Sequence, residues 1–580
     1  MDLSLLTPLE FYFKEGREEH RGHCKEFFDG LEKRSGVNRA ENVRTAAQYR
    51  EKDAEARLLG RKLAVAKGWR VAFIVFSVLA FLGALLLWYL VEGTAGVLLS
   101  VGSGIVGVAL LLLIFLWLGK RIRHFDEKYT AACAEAQLLL DKARAQIQPL
   151  LDLFNDSDTL DLIEKTMPEI KLDKSFNPDR QLQLERLYDF GEGFIDGDSS
   201  AIDTLSGTFS ENPFVFQRYL YHYMGQKTYH GTLVIRWTET YRSSDGNRRT
   251  RTRTQTLHAS VTKPFPRYGV RTVLSYGNQA APDLSFSRKG NYINERDDED
   301  IEREIEKGER RLAKKARKAI AKGQSFTEMT NSEFDVLFGA TDRDHEQQFR
   351  VLFTPLAQTN MVDLIRCDDG YGDDFAFSKA KRINHICSNH AQKWNMSTSP
   401  SNYFSYDIEI CEKLFIEYNA EYFKSVFFDF LPLLSIPAYQ HAPVPSMQTV
   451  EDKSSFTERE YEVIANRLGA RNFAHRDAVT ESILKTTCEG SYPDYDRVAV
   501  TAHSFGSVRR TDFVSVLGGD GRFHAVPVHW DDYYPISHTS RINVRRTDLT
   551  PTEYMRSKDY DECTAVFGGL MGTLDALVNE

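Results

Sequence analysis

The chain has 580 residues, 42% hydrophobic and 27% charged, with a formal net charge of −9 and a pI near 6.0. That length is more than one compact domain needs, and the acidic balance excludes a protein that binds nucleic acid nonspecifically over its whole surface. Seven cysteines without a C-x-x-C pair exclude a disulfide scaffold and read as reduced cytosolic thiols.

The first 37 residues carry Phe11, Tyr12, Phe13, Phe27, Phe28 and Leu31, enough for a helix that docks on a larger body rather than folding alone. No basic region leads into an early apolar segment, so a cleaved signal peptide is not expected. Residues 40–68 are rich in Ala, Leu, Glu, Lys and Arg without Pro and predict a helix. Two uncharged apolar stretches follow, Val71 to Val91 and Gly93 to Gly119, separated by Glu92. Crossing the hydrocarbon takes about 20 apolar residues, and the backbone there must satisfy its own hydrogen bonds. The expectation is a transmembrane helical hairpin over 69–119, with spans at 71–91 and 95–118.

Arg61, Lys62, Lys67 and Arg70 precede the first span and Lys120, Arg121 and Arg123 follow the second, while the turn between them has no Lys or Arg. This bias keeps both termini in the cytoplasm. Trp69, Trp88, Tyr89 and Trp117 fall at the expected interfaces. Small residues at Ser77, Ala80 and Ala84, and at Gly96, Ser100 and Gly104, fit close packing within the hairpin or a homo-oligomer. Neither span holds an ionisable side chain, which argues against a transporter or channel.

Downstream, Tyr129, Cys133, Ala136, Leu140, Ala143, Ile147 and Leu150 make a heptad-like stripe over 120–152. With Ala47, Ala54 and Leu58 opposite, it predicts an antiparallel, coiled-coil-like stalk ending near Pro149. The remainder reads as a cytosolic α+β body in two parts, 153–440 and 441–580.

A β-hairpin is expected around Asp245-Gly246. A two-residue loop there sets Leu233, Ile235, Trp237 and Tyr241 on one face opposite Thr254 and Thr256, and gathers Arg236, Arg242, Arg249, Arg251 and Arg253 on the other. Such a face suits anionic lipid headgroups or phosphates, against the plainer reading of a solvated strand whose arginines pair with acids elsewhere. A further strand is expected at 265–276 after Pro264 and Pro266. Residues 295–322 run from acidic to basic in the order that a helix dipole favours and predict an exposed connecting helix.

Glu333-Phe334 with Phe338, then Phe349-Arg350-Val351-Leu352-Phe353-Thr354-Pro355 and Leu364, carry a resemblance. The chain from about 40 to 440 resembles an uncharacterised family of bacterial two-pass membrane proteins, a domain of unknown function with mycoplasma-type members. The resemblance implies topology and bacterial origin, and no chemistry, since the family has no established activity. Phe334, Phe338, Phe349, Val351 and Phe353 read as core, 349–353 as a strand, and Leu356 to Ile365 as a helix with Pro near its first turn.

Tyr406 to Cys411 alternates like a strand and precedes an aromatic helix through Phe430. The last section predicts a helix at 456–469, strands at 497–503 and 510–517, a Gly518–Gly521 turn and a strand at 523–530. Three groupings deserve weighing as chemistry. Ala502-His503-Ser504-Phe505-Gly506 lacks the first Gly of a nucleophile elbow; His385, Cys387, His390 and Cys367 match no structural zinc spacing; and His503, His524, His529, His538, Asp531 and Asp532 surround a hairpin whose alternation scatters them. No cofactor, metal or catalytic residue is assigned. The reading is a binding or scaffolding protein at the cytoplasmic membrane face, whose partners are the bilayer, anionic headgroups, and a second copy or another membrane protein. The alternative is a membrane-tethered hydrolase or metal-dependent enzyme built on that His/Asp group.

Overall fold

The computed structural model describes residues 6–90, 94–190, 198–242, 247–323, 325–393, 396–442, 457–561 and 563–574. They form two compact units, one of Met1–His23, Asn155–Pro400 and Asn419–Glu580, the other of Cys24–Phe154 and Ser401–Tyr418.

The first unit is α+β, as expected, with two antiparallel sheets among its described residues. One has the order β1-β2-β3-β4-β7-β6-β5, from Ile170–Leu172, Ser199–Phe209, Asn212–Arg242, Arg248–Gly277, Ser285–Arg288, Phe375–Ala380 and Ile383–Ser388 in chain order. The other has the order β11-β12-β10-β9-β8, from Ile483–Ser491, Asp496–Leu517, Phe523–Arg546, Thr564–Phe567 and Leu570–Leu574 for β8 to β12. The C-terminal section is therefore a second sheet and not an extension of the first. It shares a core with it: Ala201, Val215 and Val273 pack in one apolar cluster with Val498, Val500, Ile542 and helix Glu458–Arg467. Thr457 and Glu460 close that helix with a capping box, and its buried Glu462 accepts the Ala201 amide at 2.9 Å and pairs with Lys485 at 3.1 Å.

The strands β3 and β4, 31 and 30 residues long, leave the sheet together as a two-stranded hairpin. An isolated hairpin is marginal in water, and this one is covered on one face by the β9–β10 hairpin. Ile235, Leu257 and Val526 are buried there, ringed by Leu233, Trp237, Ala259 and Val516. The predicted break at Pro264 and Pro266 does not occur, because β4 pairs with β7 only over Leu274–Gly277. Along the hairpin its other edge is open, and a Pro whose nitrogen faces an open edge removes no ladder bond. Gly231 sets the spacing of the two layers: a Cβ there would lie 2.1 Å from the Pro527 carbonyl oxygen and 3.0 Å from the Val528 Cα. Gly231→Val should therefore push the layers apart and destabilise the unit by about 1–3 kcal/mol, read as a lower melting temperature of the full chain in detergent. An unchanged melting temperature would show that the layers are not in register here.

Two segments expected as strands are helical. Phe349 to Phe353 lies in and just after helix Glu346–Leu352, followed by helix Pro355–Arg366, whose Thr354 cap accepts the Ala357 amide. In a helix Phe349 and Phe353 share a face and Val351 does not, so Val351 is 71% exposed while both Phe residues are buried. Tyr406 to Cys411 runs into helix Ile408–Leu434, with Asp407 accepting the Glu409 amide at 3.0 Å. The charged helix, Asp298–Ala321, is where expected, but it is not merely a linker, since it buries Ile301, Leu312, Ala316 and Ala319.

In the second unit, helix Arg39–Leu90 runs 52 residues and the chain returns through helix Thr94–Leu113, a π-helical turn at Ile114–Leu118 and helix Gly119–Leu151. The predicted stripe of the returning helix faces inward, with Ala136, Ala143, Ile147 and Leu150 buried, but Ala47, Ala54 and Leu58, expected opposite it, are exposed, and Ala46, Ala56 and Leu63 are buried on the first helix instead. Asn42 ties the stalk end, donating to the Ala143 and Tyr406 carbonyls and accepting the Ile408 amide. In the apolar part Ser77 donates to the Gly107 carbonyl (3.1 Å) and Ser103 to that of Ala80 (2.7 Å), which the small residues allow. Among the described residues one helix, over Arg39–Leu86, is long and apolar enough to cross a membrane, by length and composition. The return helix is apolar over Leu98–Ala109, a shorter stretch.

Candidate functional site

The five arginines singled out in the sequence all lie on the β3–β4 hairpin, but not on one face. The register pairs Arg242 with Arg248, Trp237 with Arg253 and Ile235 with Gln255, one residue away from the two-residue Asp245-Gly246 loop, whose residues lie outside those described. Because side chains alternate with a period of two, a one-residue shift moves a whole strand's set to the other face. Arg236 and Arg242 thus stand among Thr238, Thr240, Thr250, Thr252 and Thr254, while Arg249, Arg251 and Arg253 share the face of Trp237 and Tyr241.

All five are nevertheless exposed, for a reason that lies in the other layer. The β9–β10 hairpin turns at Gly518–Gly521, where the Gly519 amide donates to the Gln255 side chain at 2.7 Å and a Cβ on Gly519 would lie 3.0 Å from the Trp237 ring. Beyond that level the residues of both strands are exposed on both faces. Between Arg236 and Arg253 the sequence sets six arginines against Glu239 and Asp245, and Glu239 is engaged by Arg253 at 2.6 Å. At the same end of the arm, the outward face of the second hairpin presents Phe513, Leu517 and Phe523, which are 70, 56 and 73% exposed, with Leu517 and Phe523 directly opposite each other. Exposed apolar groups clustered in this way mark interaction surfaces.

The C-terminal His/Asp group does not gather. His524 is bound to Asp520 (3.0 Å), His529 to Thr511 (2.8 Å) and His538 to the Phe473 carbonyl (3.1 Å), strung along a hairpin in which His503 faces Ser537. Among the described residues no His, Cys, Asp and Glu cluster could hold a metal ion. His385 bonds Ser275, and Cys387 is a free thiol that burial pushes up to about 11.

Three polar features have partners that the sequence does not reveal, because they come from distant segments. A cavity of about 420 Å³ at the root of the two hairpins is lined by Asp198, His222, Tyr268, His503 and Ser504. Ser504 sits inside a continuous strand rather than a strand-to-helix turn, and its hydroxyl and His222 Nε2 have no hydrogen-bond partner among the described residues. Lys379, 2% exposed, lies across the sheet from Asn384 and Tyr276, and burial lowers its ammonium to about 7. His390 is clamped between two carboxylates, with Nδ1 2.8 Å from Asp374 and Nε2 3.3 Å from Asp429, beneath the stacked ring of Tyr371 at 3.9 Å.

No family model matches the chain, and no curated protein or solved structure is similar to it.

Proposed function

We propose that this is an integral membrane protein of a bacterial cell, anchored by a two-pass helical hairpin with both termini cytoplasmic. Its large α+β body serves a binding or scaffolding role at the cytoplasmic face, and the end of the β3–β4 arm is the contact surface for anionic headgroups. The observation that carries the reading is the uncovered arginine end of the arm, next to exposed Phe513, Leu517 and Phe523. Cationic and apolar groups together fit a bilayer interface better than either alone. The candidate span, the basic residues that flank it and the resemblance to bacterial two-pass proteins support the anchor.

Each basic residue near an anionic surface contributes about 1 kcal/mol. Hydrogen exchange of the full chain in nanodiscs of phosphatidylcholine, with or without phosphatidylglycerol, tests the arm. Amides of Thr238–Arg242 and Arg248–Thr254 should exchange more slowly in the anionic discs. Changing Arg236, Arg242, Arg249, Arg251 and Arg253 to Gln should remove the difference. Equal exchange of the unaltered chain in both lipids rejects the arm as a headgroup contact.

A further inference from the structure

We infer that the helical hairpin carries its own phospholipid site, a groove that takes one anionic phospholipid, and this inference rests on the membrane reading above. The groove, of about 650 Å³, runs along the seam of helices Arg39–Leu90 and Gly119–Leu151. Its lining includes Arg61, Lys62 and Arg121 together with Trp69, Phe73 and Trp117, and contains no acidic side chain.

The arrangement is polar along its length. On the first helix the cations lie at 61 and 62 and the rings at 69 and 73, a rise of about 18 Å from the first cation to the last ring at 1.5 Å per residue. The rings are at the end where the apolar stretch from Val71 begins. The second helix is antiparallel, so Trp117 lies toward the apolar end and Arg121 toward the stalk. A phospholipid has the same polarity, its phosphate at one end and its chains at the other.

The cations are held for this use. Among the described residues none of the three has a carboxylate partner, whereas neighbouring Lys67 is paired with Asp126 at 3.3 Å. The Arg121 guanidinium lies 5.1 Å from the Trp117 ring centre and 5.7 Å from that of Phe125, contacts that orient it without neutralising it. Leu63, Ala66, Leu118 and Ile122 pack the seam below. The π-helical turn Ile114–Leu118 supplies both Trp117 and Leu118, and single π turns inside α-helices recur at binding sites. Basic pockets between membrane helices bind anionic headgroups by this chemistry.

Native mass spectrometry of the full chain extracted in mild detergent, with added phosphatidylglycerol or phosphatidylcholine, tests the groove. One tightly held phosphatidylglycerol per chain is expected. The triple variant Arg61→Gln, Lys62→Gln and Arg121→Gln should bind it on the order of a hundredfold more weakly. The charge-matched control Arg123→Gln, Lys128→Gln and Lys142→Gln should bind as the unaltered chain does. Equal retention of phosphatidylcholine, unchanged binding by the triple variant, or a lipid-free dimer that seats a second copy in the groove would each overturn the proposal. Alkaline carbonate extraction separates the two levels. A chain that stays in the membrane but holds no phosphatidylglycerol loses the groove alone, and a chain washed off loses the anchor and the groove with it.

Discussion

Arg343→Met is expected to destabilise the first unit by about 3–5 kcal/mol, the loss that follows when one partner is removed from a buried ion pair. The Arg343 side chain is fully buried, and all five of its donors are used. Nη1 and Nη2 reach Asp335 at 2.5 and 3.3 Å, Nε reaches Glu346 at 2.8 Å, and the remaining protons go to the Ala340 and Thr327 carbonyls. Burial works to lower its pKa, but the hydrogen bonds and charges of Asp335 and Glu346 outweigh that and hold it above the usual arginine value. Its Cζ lies 4.5 Å from the ring centres of both Phe326 and Phe349. Methionine keeps much of the stem's volume and leaves Asp335 and Glu346 without a cation. Chemical denaturation of the full chain reads the loss, and Arg343→Met with Asp335→Asn and Glu346→Gln should recover part of it. A single variant as stable as the unaltered chain would show that this triad is not formed.

The second large effect is a dependence of stability on pH with two limbs. Burial opposes protonation of His390, but the charge of Asp429 and the hydrogen bond and charge of Asp374 outweigh it and raise its pKa above the ordinary 6.5. The folded state therefore holds this proton more tightly than the unfolded chain. Its contribution is fully present below pH 6.5 and is lost as pH rises through the higher folded value. Burial also raises the Asp429 carboxyl, which acts with the same sign, since the folded state again binds more protons.

His20 and His385 act oppositely. Burial lowers them to about 3 and about 4, so their unfolded forms take up protons below 6.5 while the folded forms do not, and stability falls on acidification. Thermal unfolding across pH should therefore show a maximum, its acid limb from His20 and His385 and its alkaline limb from His390. His390→Gln leaves Asp374 and Asp429 facing each other without a cation, a loss of about 3–5 kcal/mol near neutral pH, and should flatten the alkaline limb. An alkaline limb equally steep in that variant would place its origin elsewhere.

How far the fold is legible in the chain depends on the range of the forces that decide each element. The apolar stretch within Arg39–Leu86, the heptad-like stripe at 129–150, the charge-graded helix near 298–321 and the turn at Gly518–Gly521 are all read from neighbours a few residues apart. For these the periodicity is the cause of the structure. Of the five positions read as core, the rings of Phe334, Phe338, Phe349 and Phe353 pack on one another and on Phe286, at centroid distances of 4.7 to 6.4 Å, while Val351 is exposed. The strand assignment failed because Phe-x-x-x-Phe satisfies both a period of two and a spacing of four. Short apolar runs of that kind are settled by what packs on them.

By itself, then, the sequence determined that the stretch within Arg39–Leu86 is long and apolar enough for a membrane, that the body is α+β, and that basic residues flank the apolar region and crowd the strands on either side of Asp245-Gly246. Each is a statement about composition or local repeat. Only the tertiary structure decided which face each arginine occupies, how far the second hairpin covers the first, and that Arg343 and His390 meet two carboxylates each. Strand register, layer overlap and buried charge pairing depend on contacts between segments far apart in sequence, and no local pattern encodes their outcome.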